Sequence, residues 1–353
     1  MKKNQKRKII VTGGGTGGHA IPVMAIIEEL KKHNTEILYI GSGSEIEKQL
    51  AKQYQIGYKQ ILSGKWRRYF DWQNFIDIFK IIIGIIQSFF IVLFFNPEVV
   101  FSKGGYVGLP TVWSSWILGK KIYIHETDSI LGLANRLALK KCRKIFVGFP
   151  AKYYHNLPIE KIVYTGNPIR SDFIKLKKEK LFNNDKQTVL VTGGSQGARF
   201  INQTIAKIVP ELVKKYNVIH VCGKLDYAWL SKNKWNDYKL YSFTDKMPSF
   251  IQNSDLIISR AGGTIFEIAY CKKPAILIPL PSAANNHQES NARILEKENA
   301  AVVLREKNLS SESLFAIIEN ILDDKQMQKS LIDKICQFDA PDATDNIVKN
   351  ILD

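Results

Sequence analysis

The densest chemical signal lies near the start of the chain, where Gly13-Gly14-Gly15-Thr16-Gly17-Gly18 runs directly into His19. Five glycines in six residues, set between an apolar run and a segment of helical period, leave bare backbone N–H groups at a helix N-terminus. Such a turn holds a diphosphate through its amides and the positive end of the helix dipole. A histidine there can take a proton at neutral pH or grip an anion. The spacing also fits the dinucleotide fingerprint, but that reading needs an acid at the end of the second strand. Here that strand ends Tyr39-Ile40-Gly41-Ser42. The glycines lack a following Gly-Lys-Ser/Thr, so the P-loop reading fails as well.

A second glycine turn, Gly193-Gly194-Ser195-Gln196-Gly197, repeats the first. Ile10-Val11-Thr12-Gly13-Gly14 with Gly17 recurs as Leu190-Val191-Thr192-Gly193-Gly194 with Gly197. Further on, Arg260-Ala261-Gly262-Gly263-Thr264-Ile265-Phe266-Glu267 places an acid about one turn inside a helix, where it can accept hydrogen bonds from a ribose diol. Asn285-Asn286-His287-Gln288-Glu289-Ser290-Asn291 follows an apolar run, and amides at a strand end suit sugar hydroxyls because they donate and accept together.

The elements that must position these groups follow from hydrophobic period. Short apolar runs at 8–12, 36–40, 99–102, 121–124 and 144–147 alternate with helical segments, one of them spanning 19–32. A polar, lysine-rich break at 175–187 precedes further runs at 188–192, 217–221, 255–259 and 275–279. Alternation of this kind predicts βαβ units and parallel sheets. Two doubly wound sheets in tandem result, with Pro168 near the hinge and a ligand cleft between them.

A chain of 353 residues has room for two such domains. Its formal net charge of +17 points to anionic partners: nucleic acid, an anionic bilayer or phosphate-bearing substrates. No nucleic-acid motif accompanies the basic residues. Cys142, Cys222, Cys271 and Cys336 show neither metal-site nor disulfide spacing and suit a reducing compartment. The basic start, Met1 to Lys8, leads into only Ile9-Ile10-Val11, too short an apolar run for an export signal.

Several motifs in order resemble the MurG family of peptidoglycan N-acetylglucosaminyltransferases. They are Gly14-Gly15-Thr16-Gly17-Gly18-His19, Gly104-Gly105-Tyr106-Val107, His125-Glu126, Gly166-Asn167-Pro168-Ile169-Arg170, Gly193-Gly194-Ser195-Gln196-Gly197-Ala198, Arg260-Ala261-Gly262, Gln288 with Asn291, and Pro341-Asp342-Ala343-Thr344. The resemblance covers nearly the whole chain and implies a GT-B fold, two Rossmann-like doubly wound parallel-sheet domains facing across a cleft. It implies an acceptor domain over 1–165, completed by a last helix over 341–353, and a donor domain over 166–340. By resemblance, Gly14, Gly15, Gly104, Gly105, Tyr106 and His125 face the acceptor, while Thr16, Gly17, Gly18, Asp128, Arg170, Ser195, Thr244, Thr264, Glu267 and Gln288 contact UDP-GlcNAc. His19 is the candidate catalytic base, with Glu126 second. The activity implied is inverting, metal-free and cofactor-free transfer of N-acetylglucosamine to a lipid-linked muramoyl-pentapeptide. Two departures stand out: His125-Glu126-Thr127-Asp128 replaces the family's His-Glu-Gln-Asn, and the loop before Thr264 is one residue shorter. A non-catalytic nucleotide-sugar or lipid-binding subunit of the same fold is the rival expectation.

The run from Ile81 to Phe95 holds fifteen uncharged residues, interrupted only by Gly84, Gln87 and Ser88. As a helix it reaches roughly 22 Å, against about 30 Å for a hydrocarbon core. With Trp72, Phe75, Ile76 and Phe79 before it and Lys65, Arg67, Arg68, Lys140, Lys141, Arg143 and Lys144 as basic neighbours, it predicts peripheral docking of the first domain on an anionic membrane at the cytoplasmic face.

Overall fold

The computed structural model describes residues 6–14, 17–64, 72–174, 176, 179–194, 197–232 and 234–353, with the backbone alone at 17–21, 72–76 and 174. The chain forms two compact units, one of Met1–Arg170 with Pro341–Asp353, the other of Ser171–Ala340.

The first unit is built on strands β1 (Arg7–Thr12), β2 (Thr35–Gly41), β3 (Gly57–Gln60), β4 (Val99–Ser102), β5 (Lys121–Glu126), β6 (Lys144–Val147) and β7 (Ile162–Tyr164). Their order is β3-β2-β1-β4-β5-β6-β7, and every pairing is parallel. The order reverses between β1 and β4, the switch point at which doubly wound sheets bind ligands. Helix Gly17–Leu30 lies against one face because Val23, Ile26, Ile27 and Leu30 recur at helical spacing and meet Ile9 and Val11 of β1. Helix Ala343–Leu352 brings Ile347, Val348 and Ile351 into the same core, so the last residues of the chain close its first unit. Each fully buried aliphatic side chain there stabilises by about 1.5–3 kcal/mol. The helix begins at Gly17 rather than at position 19, so Pro22 lies in its second turn, where the missing N–H costs one backbone bond.

The second unit uses β8 (Thr188–Thr192), β9 (Asn217–Val221), β10 (Tyr238–Tyr241), β11 (Leu256–Ser259), β12 (Ala275–Leu277) and β13 (Val302–Val303), in the order β10-β9-β8-β11-β12-β13 and again all parallel. Helices Arg199–Lys215 and Ser311–Asp323 pack Ile201, Ile205, Leu212, Leu314 and Ile318 on Val189, Val191 and Ile258. The run predicted at 255–259 starts one residue later, because the Asp255 carboxylate is spent accepting from Thr188 N at 2.7 Å. The run at 275–279 stops at Leu277. Four strands escaped the pattern, β3, β7, β10 and β13, and all four are sheet edges. Edge strands are short and half solvated, so they lack the continuous apolar run of a central strand.

The apolar run at 81–95 belongs to a helix of 24 residues, Trp72–Phe95. At about 36 Å it exceeds a bilayer core, so the length argument against spanning does not hold; by length and composition it could cross a membrane. Its packing decides otherwise for one face. Gly84 lets the Leu62 carbonyl approach to 2.0 Å from where a Cβ would stand, Gln87 Oε1 accepts from Leu62 N at 2.7 Å, and Ser88 Oγ lies 3.5 Å from Thr111 Oγ1 on helix Gly108–Ile117. The polar interruptions thus mark the side turned to the protein. The other side exposes Phe79, Ile82, Ile83, Ile86, Phe90, Leu93 and Phe94. Lys141 Nζ sits 3.2 Å above the ring of Trp116 on the neighbouring helix, while Lys65, Arg67 and Arg68 lie outside the described residues.

Candidate active site

In the first unit the carboxyl ends of β1, β4 and β5 are adjacent and carry Gly13-Gly14, Lys103-Gly104-Gly105-Tyr106 and His125-Glu126-Thr127-Asp128. The turns after β1 and β4 interlock through glycine. Gly105 has φ +80°, and a Cβ on it would stand 2.6 Å from the Gly14 carbonyl oxygen. Only a residue without a side chain allows both the conformation and the approach.

Three residues that the motif reading did not single out hold this end of the sheet. Lys103 is 1% exposed and donates from Nζ to His125 Nδ1 at 2.8 Å, to Asn167 Oδ1 at 3.2 Å and to Thr127 Oγ1. The His125 ring, also buried, therefore accepts at Nδ1 and donates from Nε2–H to the Gly166 carbonyl at 3.0 Å. Burial pushes the Lys103 ammonium down to about 8, although Glu126 and Asp128 pull it up. Asn135 donates to the His125 carbonyl at 2.9 Å and to Glu126 Oε2 at 3.0 Å. Glu47, buried after β2, accepts from Ser42 N at 2.7 Å, Gly43 N at 3.1 Å and the Tyr58 hydroxyl at 3.1 Å. A Cβ on Gly14 would fall 2.0 Å from its Oε1, so this carboxylate lies directly beneath the first glycine turn.

Glu126 is buried, and its oxygens also accept from Asp128 N at 3.2 Å and Gly132 N at 2.8 Å. Desolvation, then the nearby Asp128 charge, raise its carboxyl above the usual range. Asp128 is half-buried, with its carbonyl accepting from the Tyr154 hydroxyl at 2.9 Å. Tyr106 is half-buried beside Ser42. Gly17 and Gly18 form the first residues of helix Gly17–Leu30. Gly15, Thr16 and the His19 side chain lie outside the described residues, as does Ser195.

In the second unit Gly194 and Gly197 follow β8 with φ of +79° and +76°, and a Cβ on Gly197 would press to 2.4 Å from the Cys222 carbonyl oxygen. After β11, Arg260 turns inward, donating to the Ile278 carbonyl at 3.0 Å and pairing with Glu306 at 2.7 Å. This clamp leaves the Gly262 backbone open, with Thr264 starting helix Thr264–Tyr270 and Glu267 in its first turn. Gln288 Oε1 accepts from Leu280 N at 2.9 Å, and Asn291 one turn later donates to the Ala261 carbonyl at 3.0 Å. Thr264, Glu267 and Gln288 therefore gather at the ends of β11 and β12. Thr244, whose hydroxyl accepts from Lys246 N at 2.9 Å, follows β10 at the far edge of the sheet. Arg170, half-buried, is the last residue of the first unit before Ser171.

Two Rossmann-like parallel sheets, each opening on strand, glycine turn and helix, are the architecture of the GT-B fold. Residues 9–147 match the glycosyltransferase family 28 N-terminal domain and residues 188–347 the family 28 C-terminal domain. A curated relative from Bacillus cereus, UDP-N-acetylglucosamine--N-acetylmuramyl-(pentapeptide) pyrophosphoryl-undecaprenol N-acetylglucosamine transferase 2, is 37% identical over 98% of this chain and 99% of its own length. The relative from Clostridium kluyveri, with the same name but without the number, is 39% identical over 98% of this chain and 99% of its own length. In fold, the crystal structure of MurG from Acinetobacter baumannii superposes with a TM-score of 0.75 at 23% identity, covering 99% of both chains. A UDP-GlcNAc 2-epimerase from Neisseria meningitidis reaches 0.72 at 15% identity, over 98% of this chain and 99% of its own. The chain belongs to the MurG family of glycosyltransferases.

Proposed function

We infer that this chain transfers N-acetylglucosamine from UDP-GlcNAc to the C4 hydroxyl of the muramoyl sugar of an undecaprenyl-diphosphate-linked pentapeptide, with inversion to a β-1,4 linkage. The observation that carries this reading is the match to curated transferases over 98% of the chain. The geometry is in keeping with it. Glycine turns at the carboxyl ends of β1 and β8 present backbone amides suited to diphosphates, and electrostatic stabilisation of departing UDP by such donors requires no metal. Glu267 and Gln288 are assigned to the donor's ribose and sugar, Gly14, Gly104, Gly105 and Tyr106 to the acceptor. His19 is assigned as general base. Glu126 is a weaker candidate for that role, since its two oxygens already accept three hydrogen bonds besides being buried.

The exposed face of helix Trp72–Phe95, with Lys141 over Trp116 on the neighbouring helix, supports docking on an anionic membrane surface at the cytoplasmic face, which would bring the site to a lipid-linked acceptor. The product would feed wall growth, and through it cell shape and division.

Purified protein given UDP-GlcNAc and the lipid acceptor, with and without EDTA, tests the assignment. Turnover should survive the chelator and fall about 10²- to 10⁴-fold in His19→Ala. Tight UDP binding with no turnover on the acceptor would instead support a non-catalytic subunit.

A further inference from the structure

Lys103 directs three hydrogen bonds from its ammonium group inside the protein, to His125, Thr127 and Asn167. No donor remains for a substrate, so the residue cannot be catalytic in the strict sense. Its position is nonetheless central. It directly follows β4, its backbone N–H donates to the Thr12 carbonyl at 2.8 Å, and a Cβ on Gly13 would fall 2.7 Å from its own Cβ. One cation thus ties the β1 turn, the β4 turn, the β5 turn and the segment after β7. Thr127 extends the tie by donating to Asn167 Oδ1 at 3.1 Å. Thr127 and Asp128, which make up one of the two departures from the family pattern, are both drawn into the arrangement, Thr127 by hydrogen bond and Asp128 by charge.

We propose that Lys103 is a positioning residue for the transfer reaction, and that Lys103, Thr127 and Asp128 act as one charge-balanced unit that sets the turn carrying Glu126. This rests on the transferase reading above, in which that turn borders the reacting sugars. Burial disfavours an uncompensated charge of either sign, and a nearby opposite charge offsets part of that cost. Asp128 adds a negative charge to the turn, and Lys103 offsets it. The titratable groups facing Lys103 are His125 and Glu126 at the end of β5 and Asp128 in the turn after it, with Tyr154 beyond Asp128; Gly13 and Asn167 on its other sides carry none.

The test is a double-mutant cycle of Lys103→Met and Asp128→Asn, followed by kcat, donor KM, pH profile and thermal midpoint. Lys103→Met should lower kcat about 10- to 100-fold, the cost of a displaced turn, with little change in donor KM. Adding Asp128→Asn should recover part of the loss, because the uncompensated carboxylate is gone. In the wild type kcat should decline above about pH 8 as the ammonium loses a proton. Asp128→Asn should move that decline to lower pH, and Lys103→Met should abolish it. Independent, multiplying effects, or a decline that persists unmoved in both variants, would overturn the proposal. If Lys103→Met does not fold, Thr127→Val takes its place and must show the same coupling to Asp128→Asn. A wild type without turnover would sink the transferase reading alone; the coupling is then read from thermal midpoints, where additivity refutes it.

Discussion

Acid should destabilise the second unit through one residue, His220 on β9. Its ring is fully enclosed. Asn202 Nδ2 donates to the Cys222 carbonyl at 2.8 Å and to Asp226 Oδ2 at 2.8 Å, which turns Asn202 Oδ1 toward His220 Nε2 at 2.9 Å. Nε2 therefore carries the proton, and Nδ1 accepts from the Tyr238 hydroxyl at 2.8 Å. Burial drives the imidazole from its usual 6.5 down to about 3, against a weaker upward pull from Asp226. In the unfolded chain the ring takes its proton near 6.5. Between those values the unfolded state holds a proton that the folded state refuses. The contribution is thus complete above pH 6.5 and is lost as pH falls toward 3. At 1.36 kcal/mol per unit, acidifying from pH 7 to pH 5 removes about 2 kcal/mol. Urea unfolding followed by circular dichroism at both pH values, on the wild type and His220→Gln, isolates the residue from the other titrating groups. The variant should start less stable at pH 7 and lose about 2 kcal/mol less on acidification. Equal losses in the two proteins would refute a neutral, desolvated His220.

Three further outcomes follow from the site and the surface. Gly105→Ala must adopt φ near +80° with its methyl 2.6 Å from the Gly14 carbonyl oxygen, so it should cost about 1–3 kcal/mol in thermal unfolding and weaken acceptor kinetics; an unchanged midpoint would contradict the interlocked turns. Glu267→Ala should raise the donor KM more than the acceptor KM, and equal effects would make Glu267 structural. Phe79 and Phe94, 67% and 80% exposed on helix Trp72–Phe95, should both be needed for flotation with anionic liposomes at low salt. Binding that ignores lipid charge and salt, and survives serine at both positions, would remove this face as the docking surface.

Central strands were legible as residues alone. The runs at 99–102, 144–147, 188–192 and 217–221 match β4, β6, β8 and β9 residue for residue, because a strand buried on both faces must be apolar along its length. The glycine turns were legible too, since the repeat after β1 and β8 writes the same backbone requirement twice. Periodicity could not reveal β3, β7, β10 and β13, whose pairing depends on a neighbour rather than on their own composition. It also could not measure the helix Trp72–Phe95, whose first turns carry polar residues and whose packed side is marked only by Gly84, Gln87 and Ser88.

The site divides along the same line. Sequence supplied the residues whose type and spacing are themselves the signal: glycines at turns, amides at strand ends, an acid one turn into a helix. Lys103, Glu47 and Asn135 carry no such signal, because a lysine, a glutamate or an asparagine in one sequence is by default a solvated side chain. Only the fold buries them, by bringing β1, β2, β4 and β5 side by side although residues 13–120 lie between the first of these strands and the last. Burial removes water, and without water each of these groups must find its partners within the protein. Which partners it finds, Thr127 and Asn167 for Lys103 and the Ser42-Gly43 turn for Glu47, is decided by tertiary structure alone.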